Sequence, residues 1–168
     1  MVKYIDAKKI EKRSPDKAMS ICMSGAKVRD VSSKITELNQ QFNIKKIIIH
    51  VGGNNIPQDD PSKLSHKITH LLQNCQTLMP LTKIHYSAII PRVSDSFING
   101  INAVNENVEH FCSENHISFI QHFQFFTKDH GMNFKMFIAD KVHPTREGSS
   151  VIAKNFIASY RNYRKSSS

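Results

Sequence analysis

The feature that most constrains this chain is the run Lys45-Lys46-Ile47-Ile48-Ile49-His50-Val51, cut off by Gly52-Gly53-Asn54-Asn55. Three consecutive isoleucines are stiff at χ1 and favour a pleated, extended backbone. They also place apolar side chains on both faces of that strand. A strand with two apolar faces needs cover on both, which is the situation of a parallel strand inside an α/β domain. The run is far too short for the roughly 20 residues that span a bilayer. The glycines and asparagines behind it stop the strand and form a turn.

The rest of the chain supplies what such a strand requires. Residues 19–24 alternate and end at Gly25, the pattern of a strand. Val28, Val31, Ile35, Leu38 and Phe42 form a helical stripe. A second stripe runs from Pro61 to Met79 and a third from Phe97 to Asn115, with strands expected at 83–90 and 117–121. An aromatic loop over 122–143 carries Phe123, Phe125, Phe126, Phe134 and Phe137, and Pro144 is expected to open a last helix to about residue 160. Strand–helix alternation of this kind predicts one domain, over 1–160, with a parallel sheet and helices on both faces. Residues 161–168 read as a basic, serine-rich tail, expected to be disordered. The opening departs from the pattern. Met1, Val2 and Ile5 recur at helical spacing, and no strand precedes them.

Composition narrows the function classes. Three widely spaced cysteines, Cys22, Cys75 and Cys112, fit neither a disulfide framework nor a zinc site and read as small core residues. His66 and His70 stand at metal-ligand spacing on a helix, but no acidic third ligand accompanies them, so solvent-exposed histidines are the expectation. No apolar stretch is long enough for a membrane span, and the first residues lack the apolar region of a secretory signal, which points to an intracellular, cytoplasmic protein. The net charge of +9 favours polyanionic partners. Lys45, Lys46 and Lys83 each precede a strand and so gather at the amino edge of the sheet. Arg161, Arg164 and Lys165 end the last helix, which returns towards that edge. Together they form a candidate phosphate-binding face for nucleic acid, or a set of solubilising flanks.

Ligands of open parallel sheets bind at the carboxyl ends of the strands. The polar and glycine residues following each strand are therefore the candidate site. Asp140 and His143, three apart before the last helix, can form a carboxylate–imidazole pair in which the carboxylate fixes the tautomer of a general base. The same residues also suit an ordinary turn. Gly52-Gly53-Asn54-Asn55 can aim an amide and backbone N–H groups at one point, as an oxyanion requires, or can simply be a turn. The backbone N–H of Gly25 is a third candidate donor, or part of a strand-end turn.

In their order, Ser24-Gly25-Ala26-Lys27-Val28-Arg29-Asp30, then His50-Val51-Gly52-Gly53-Asn54-Asn55, then Asp140-Lys141-Val142-His143-Pro144, these segments resemble blocks II, III and V of the SGNH/GDSL hydrolases. The variant they most resemble is the esterase domain associated with metazoan retroelements. The resemblance implies a three-layer α/β/α, flavodoxin-like fold, no cofactor, and hydrolysis of a carboxylic ester by a Ser-His-Asp mechanism. It assigns Asp140 and His143 to the catalytic pair, Gly25 and Asn54 to the oxyanion hole, and Gly52, Gly53 and Asn55 to the supporting turn. Two departures stand out. Block III usually continues Asn-Asp, where this chain has Asn54-Asn55. The family's Gly-Asp-Ser, which ends the first strand and carries the nucleophile, is absent. The expectation is a domain without its first strand, a strand that would lie between 19–24 and 46–51. Such a chain is expected to be inactive, and either poorly stable or irregularly paired between 19–24 and 46–51. The alternative reading is a catalytically dead module that binds nucleic acid or another partner.

Overall fold

A computed structural model describes residues 17–92, 97–129 and 131–165, with backbone alone for 161–165. The expected helical start at Met1–Ile5 lies outside the described residues. Three parallel strands form the central sheet: β1 (Lys46–Ile49), β2 (Lys83–Ser87) and β3 (Ser118–Ile120), in the order β1-β2-β3. Lys46 pairs with Lys83 and Ile49 with Tyr86, and Ser87 pairs with Ile120. A small antiparallel pair, β4 (Thr127–Lys128) and β5 (Gly131–Met132), lies in the aromatic loop.

Helices cover both faces, as the two-faced apolar strand requires. On one face lie α1 (Val28–Gln41), α2 (Pro61–Leu78) and α3 (Ile98–Glu114). Their residues Ile35, Leu64, Ile68, Ile101 and Val108 pack with Ile49, Ile84 and Tyr86 of the sheet. On the other face lies α4 (Arg146–Lys165), whose Ile152 and Phe156 pack with Ile120 and Ile48. Leu64, Ile68, Leu72 and Ile101 are fully buried. Each such side chain contributes roughly 1.5–3 kcal/mol relative to exposure. The expected α/β architecture is thus present.

Four expectations change. Residues 19–24 form no strand and are mostly exposed, Met19 at 60% and Ile21 at 42%, and no strand among the described residues pairs with them. Cys22 on this segment is accordingly exposed, whereas Cys75 and Cys112 are buried. Pro144 lies before α4 rather than in its first turn, because Thr145 is the cap: its Oγ1 accepts from Gly148 N at 3.2 Å. That helix continues to Lys165, five residues into the segment expected as a tail. His66 and His70 are exposed, and no metal-binding group of three ligands occurs among the described residues.

The edge of β1 opposite β2 has no strand partner among the described residues. Ile47 and Ile48, in the most apolar run of the chain, are consequently only partly buried. The 25–28 turn is nevertheless tied to the loop after β1. Asn54 Nδ2 donates to Ala26 O at 3.0 Å, and Val28 N donates to Asn55 Oδ1 at 3.1 Å.

Candidate active site

The turn between the aromatic loop and α4 builds the first half of the site. Ile138 N donates to His143 O and Lys141 N to Ile138 O, both at 2.9 Å, closing a tight loop with Lys141 at φ 55. Asp140 Oδ1 accepts from the backbone N–H groups of Val142 and His143 at 2.9 Å each. Its other oxygen, Oδ2, lies 2.6 Å from His143 Nδ1. A carboxylate accepts, so Nδ1 carries the proton and Nε2 is left as the basic nitrogen. The His143 N–H, the His143 imidazole and the Val142 N–H hold the Asp140 carboxyl well below the usual carboxylate range. Both side chains remain accessible, Asp140 at 43% and His143 at 49%.

Glycine at 148 sets where this turn sits. A Cβ there would meet Met136 O at 2.5 Å, so the first turn of α4 packs directly on the aromatic loop. Thr145 N also donates to Met136 O at 2.8 Å.

The second half follows β1. Gly52 adopts φ +117, and a Cβ would lie 2.6 Å from Ile89 Cδ1, so both backbone and packing demand glycine. Asn55 is buried: its N–H closes the turn on Gly52 O at 2.8 Å, and its Nδ2 donates to Asp59 Oδ2 at 2.8 Å. Asp59 in turn accepts from Lys67 Nζ at 2.7 Å, and the hydrogen bonds from Lys67 and Asn55 keep it below the usual carboxylate range. Asn55 is therefore a strut. Asn54 faces the 25–28 turn instead, through Ala26 O. Gly25 is exposed, at φ +70, with nothing within 4 Å of a would-be Cβ, so glycine serves the backbone conformation there.

Arg92 was visible in the sequence only as the residue after Pro91. The structure places its Nη1 3.0 Å from Asn54 Oδ1, and a Cβ on Gly53 would lie 3.3 Å from the same nitrogen. Burial lowers the Arg92 pKa, and the nearby Asp140 charge raises it. Arg92 is thus hydrogen-bonded to the Asn54 turn and close enough to Asp140 to feel its charge. Its signal in the sequence was position: it is the cation directly behind the third expected strand, at the carboxyl edge.

Beneath this edge lies a buried polar chain that the sequence did not reveal. His122 Nε2 donates to Ala88 O at 2.8 Å, which makes it the protonated nitrogen. Ser87 Oγ lies 3.2 Å from the same nitrogen and 2.7 Å from His50 Nδ1. Burial pushes His50 down to about 3 and His122 to about 4.

Lys45, Lys46 and Lys83, three of the expected basic residues, lie at the opposite edge. Lys83 N donates to Lys45 O at 3.0 Å, and Lys46 Nζ reaches Tyr160 O at 3.2 Å and stands 4.0 Å over the Tyr160 ring. The end of α4 does return to that edge. Arg161, Arg164 and Lys165 follow on the helix, their side chains outside the described residues. A cavity of about 340 Å³ lies between α3 and residues 123–129, and none of the candidate residues lines it. The chemistry favours the open carboxyl edge over that cavity, because the convergent polar groups are there.

No family model and no curated protein matches the chain. Solved structures do. A putative platelet activating factor from Streptococcus pneumonia is 17% identical, with a TM-score of 0.72 over 92% of this chain and 77% of that one. A putative GDSL-like lipase from Parabacteroides merdae is 15% identical, with a TM-score of 0.72 over 89% of this chain and 75% of that one. TesA is 14% identical, with a TM-score of 0.70 over 93% of this chain and 87% of that one. At such identities the likeness is one of fold. The chain has the fold of the SGNH/GDSL hydrolases.

Proposed function

We propose that this domain is the scaffold of a serine esterase that works by acyl transfer, and that residues 1–168 alone are inactive. The observation that carries the reading is the Asp140 Oδ2–His143 Nδ1 contact of 2.6 Å, which leaves Nε2 as a base. The nucleophile is a serine at the end of an additional parallel strand, seated on the edge of β1 that has no strand partner among the described residues. That serine attacks the ester carbonyl and passes its proton to His143 Nε2. Gly25 N–H and Asn54 Nδ2–H hold the oxyanion. Collapse expels the alcohol, which takes the proton back from His143, and water then releases the acid by the same steps. Gly52, Gly53 and Asn55 form the turn that carries Asn54. Retention of both a carboxylate–imidazole pair and a braced asparagine supports an active ancestor over a long-dead fold.

The test compares the 168-residue chain with one carrying an apolar strand that ends in Gly-Asp-Ser ahead of residue 1. The extended chain should hydrolyse p-nitrophenyl acetate and lose that activity on His143→Ala. Equal inactivity of both folded chains would sink the esterase reading.

A second reading, nucleic-acid binding, draws on the amino edge. Lys46 and Lys83 sit in register, and their charges add to burial in lowering His85 to about 4. Together with Lys45, Arg161, Arg164 and Lys165 they would bind phosphates. Such binding must weaken steeply with salt. An affinity for single-stranded RNA indifferent to ionic strength would count against it.

A further inference from the structure

Asn54 is held from two sides by groups that leave its amide no choice of orientation. The Arg92 guanidinium can only donate, so the atom 3.0 Å from Nη1 is the amide oxygen. The Ala26 carbonyl can only accept, so the atom 3.0 Å from it is the amide nitrogen. Nδ2 carries two hydrogens. One is spent on Ala26, and no second hydrogen bond from Nδ2 occurs among the described residues. We propose that Arg92 is a positioning residue that locks the Asn54 amide with one Nδ2–H aimed into the crevice as a preset donor.

A terminal amide torsion is broad and roughly two-fold, so an asparagine without such a lock presents either end. Preorganised donors contribute because they need not turn at the moment of reaction. Arg92 is itself partly buried: its Nη1 packs over Gly53, 3.3 Å from where a Cβ there would be, its Nε is buried with no hydrogen-bond partner among the described residues, and the Asp140 charge favours the charged guanidinium. Asp140 has both oxygens committed to residues 142 and 143, so it does not compete with Asn54 for the guanidinium. A cation on Oδ1 also polarises the amide and makes Nδ2–H a stronger donor. The smallness of Gly53 then has a reason beyond the turn: it admits the guanidinium.

The inference rests on Asn54 being the donor of the proposed esterase, but its test reads Asn54 directly. In the ¹⁵N-labelled 168-residue chain, the Nδ2 protons of Asn54, assigned by their loss in Asn54→Asp, should give two well-separated signals. Arg92→Met should draw them together and speed their exchange with water about tenfold, the scale of one lost charge-assisted hydrogen bond. Arg92→Lys, which keeps the charge and one donor, should restore part of the separation. Gly53→Ala, which presses on Nη1, should shift the same signals while the fold stays intact, and it serves where Arg92→Met does not fold. Asn54 signals unmoved in the folded variants overturn the assignment. A failure of the serine-restored chain to cleave esters would leave these shifts in place, so the two ideas fall separately.

Discussion

One carboxylate, that of Asp140, holds His143 twice: Oδ2 lies 2.6 Å from the imidazole Nδ1, and Oδ1 accepts the backbone N–H of the same residue at 2.9 Å. The ring and the peptide that carries it are thus fixed by one group. Because these bonds favour the ionised form, the Asp140 carboxyl should titrate below its ordinary value of 3.8, a midpoint readable by ¹³C NMR. Asp140→Asn should remove the preference for the Nδ1–H tautomer. In the serine-restored chain it should lower kcat by roughly 10⁴-fold, the effect of the equivalent change in a Ser-His-Asp protease.

Acid should destabilise the domain through its buried histidines. His50, His85 and His122 have folded pKa values lowered from 6.5 to about 3, 4 and 4, in each case chiefly by burial. Between those values and 6.5 the unfolded chain binds protons that the folded chain refuses. Stability is therefore whole above 6.5 and falls as the pH drops towards 4. The urea midpoint should be lower at pH 5 than at pH 7. A midpoint unchanged over that interval would contradict the burial of neutral imidazoles.

Gly52→Ala should be costly because two penalties coincide at one residue. The backbone is at φ +117, and the added methyl would come within 2.6 Å of Ile89 Cδ1. A loss of about 2 kcal/mol or more is expected. Gly25→Ala meets only the first penalty, with no neighbour within 4 Å, and should cost less. Urea melts of the two variants, side by side, check the ordering.

Asn55→Ala should uncouple the turn after β1 from α1. It removes the acceptor of Val28 N and the partner of Asp59 Oδ2, both at a buried site. The expected loss is roughly 1–3 kcal/mol, the cost of leaving a buried donor unpaired. Hydrogen exchange should quicken first at Val28. Exchange there no faster than in the parent chain would mean that the cap is dispensable.

How much of this was legible in advance differs residue by residue. The parallel sheet and its helices were written in local patterns, the isoleucine run and the 3.6-residue stripes, because a strand or helix buries whichever face its side-chain period makes apolar. Asp140 and His143 were legible for a related reason: they are three apart, and a turn brings such neighbours together whatever the rest of the chain does. Residues 19–24 show the limit of this logic. Their alternation is strand-like, yet a strand exists only where another ladder accepts it, and none does among the described residues. Arg92 on Asn54, and the chain from His50 through Ser87 to His122, join positions 35 or more residues apart. No local period encodes such contacts. They exist because parallel strands stack the residues that follow each strand at one edge, and only the register of β1, β2 and β3 decides which of them meet.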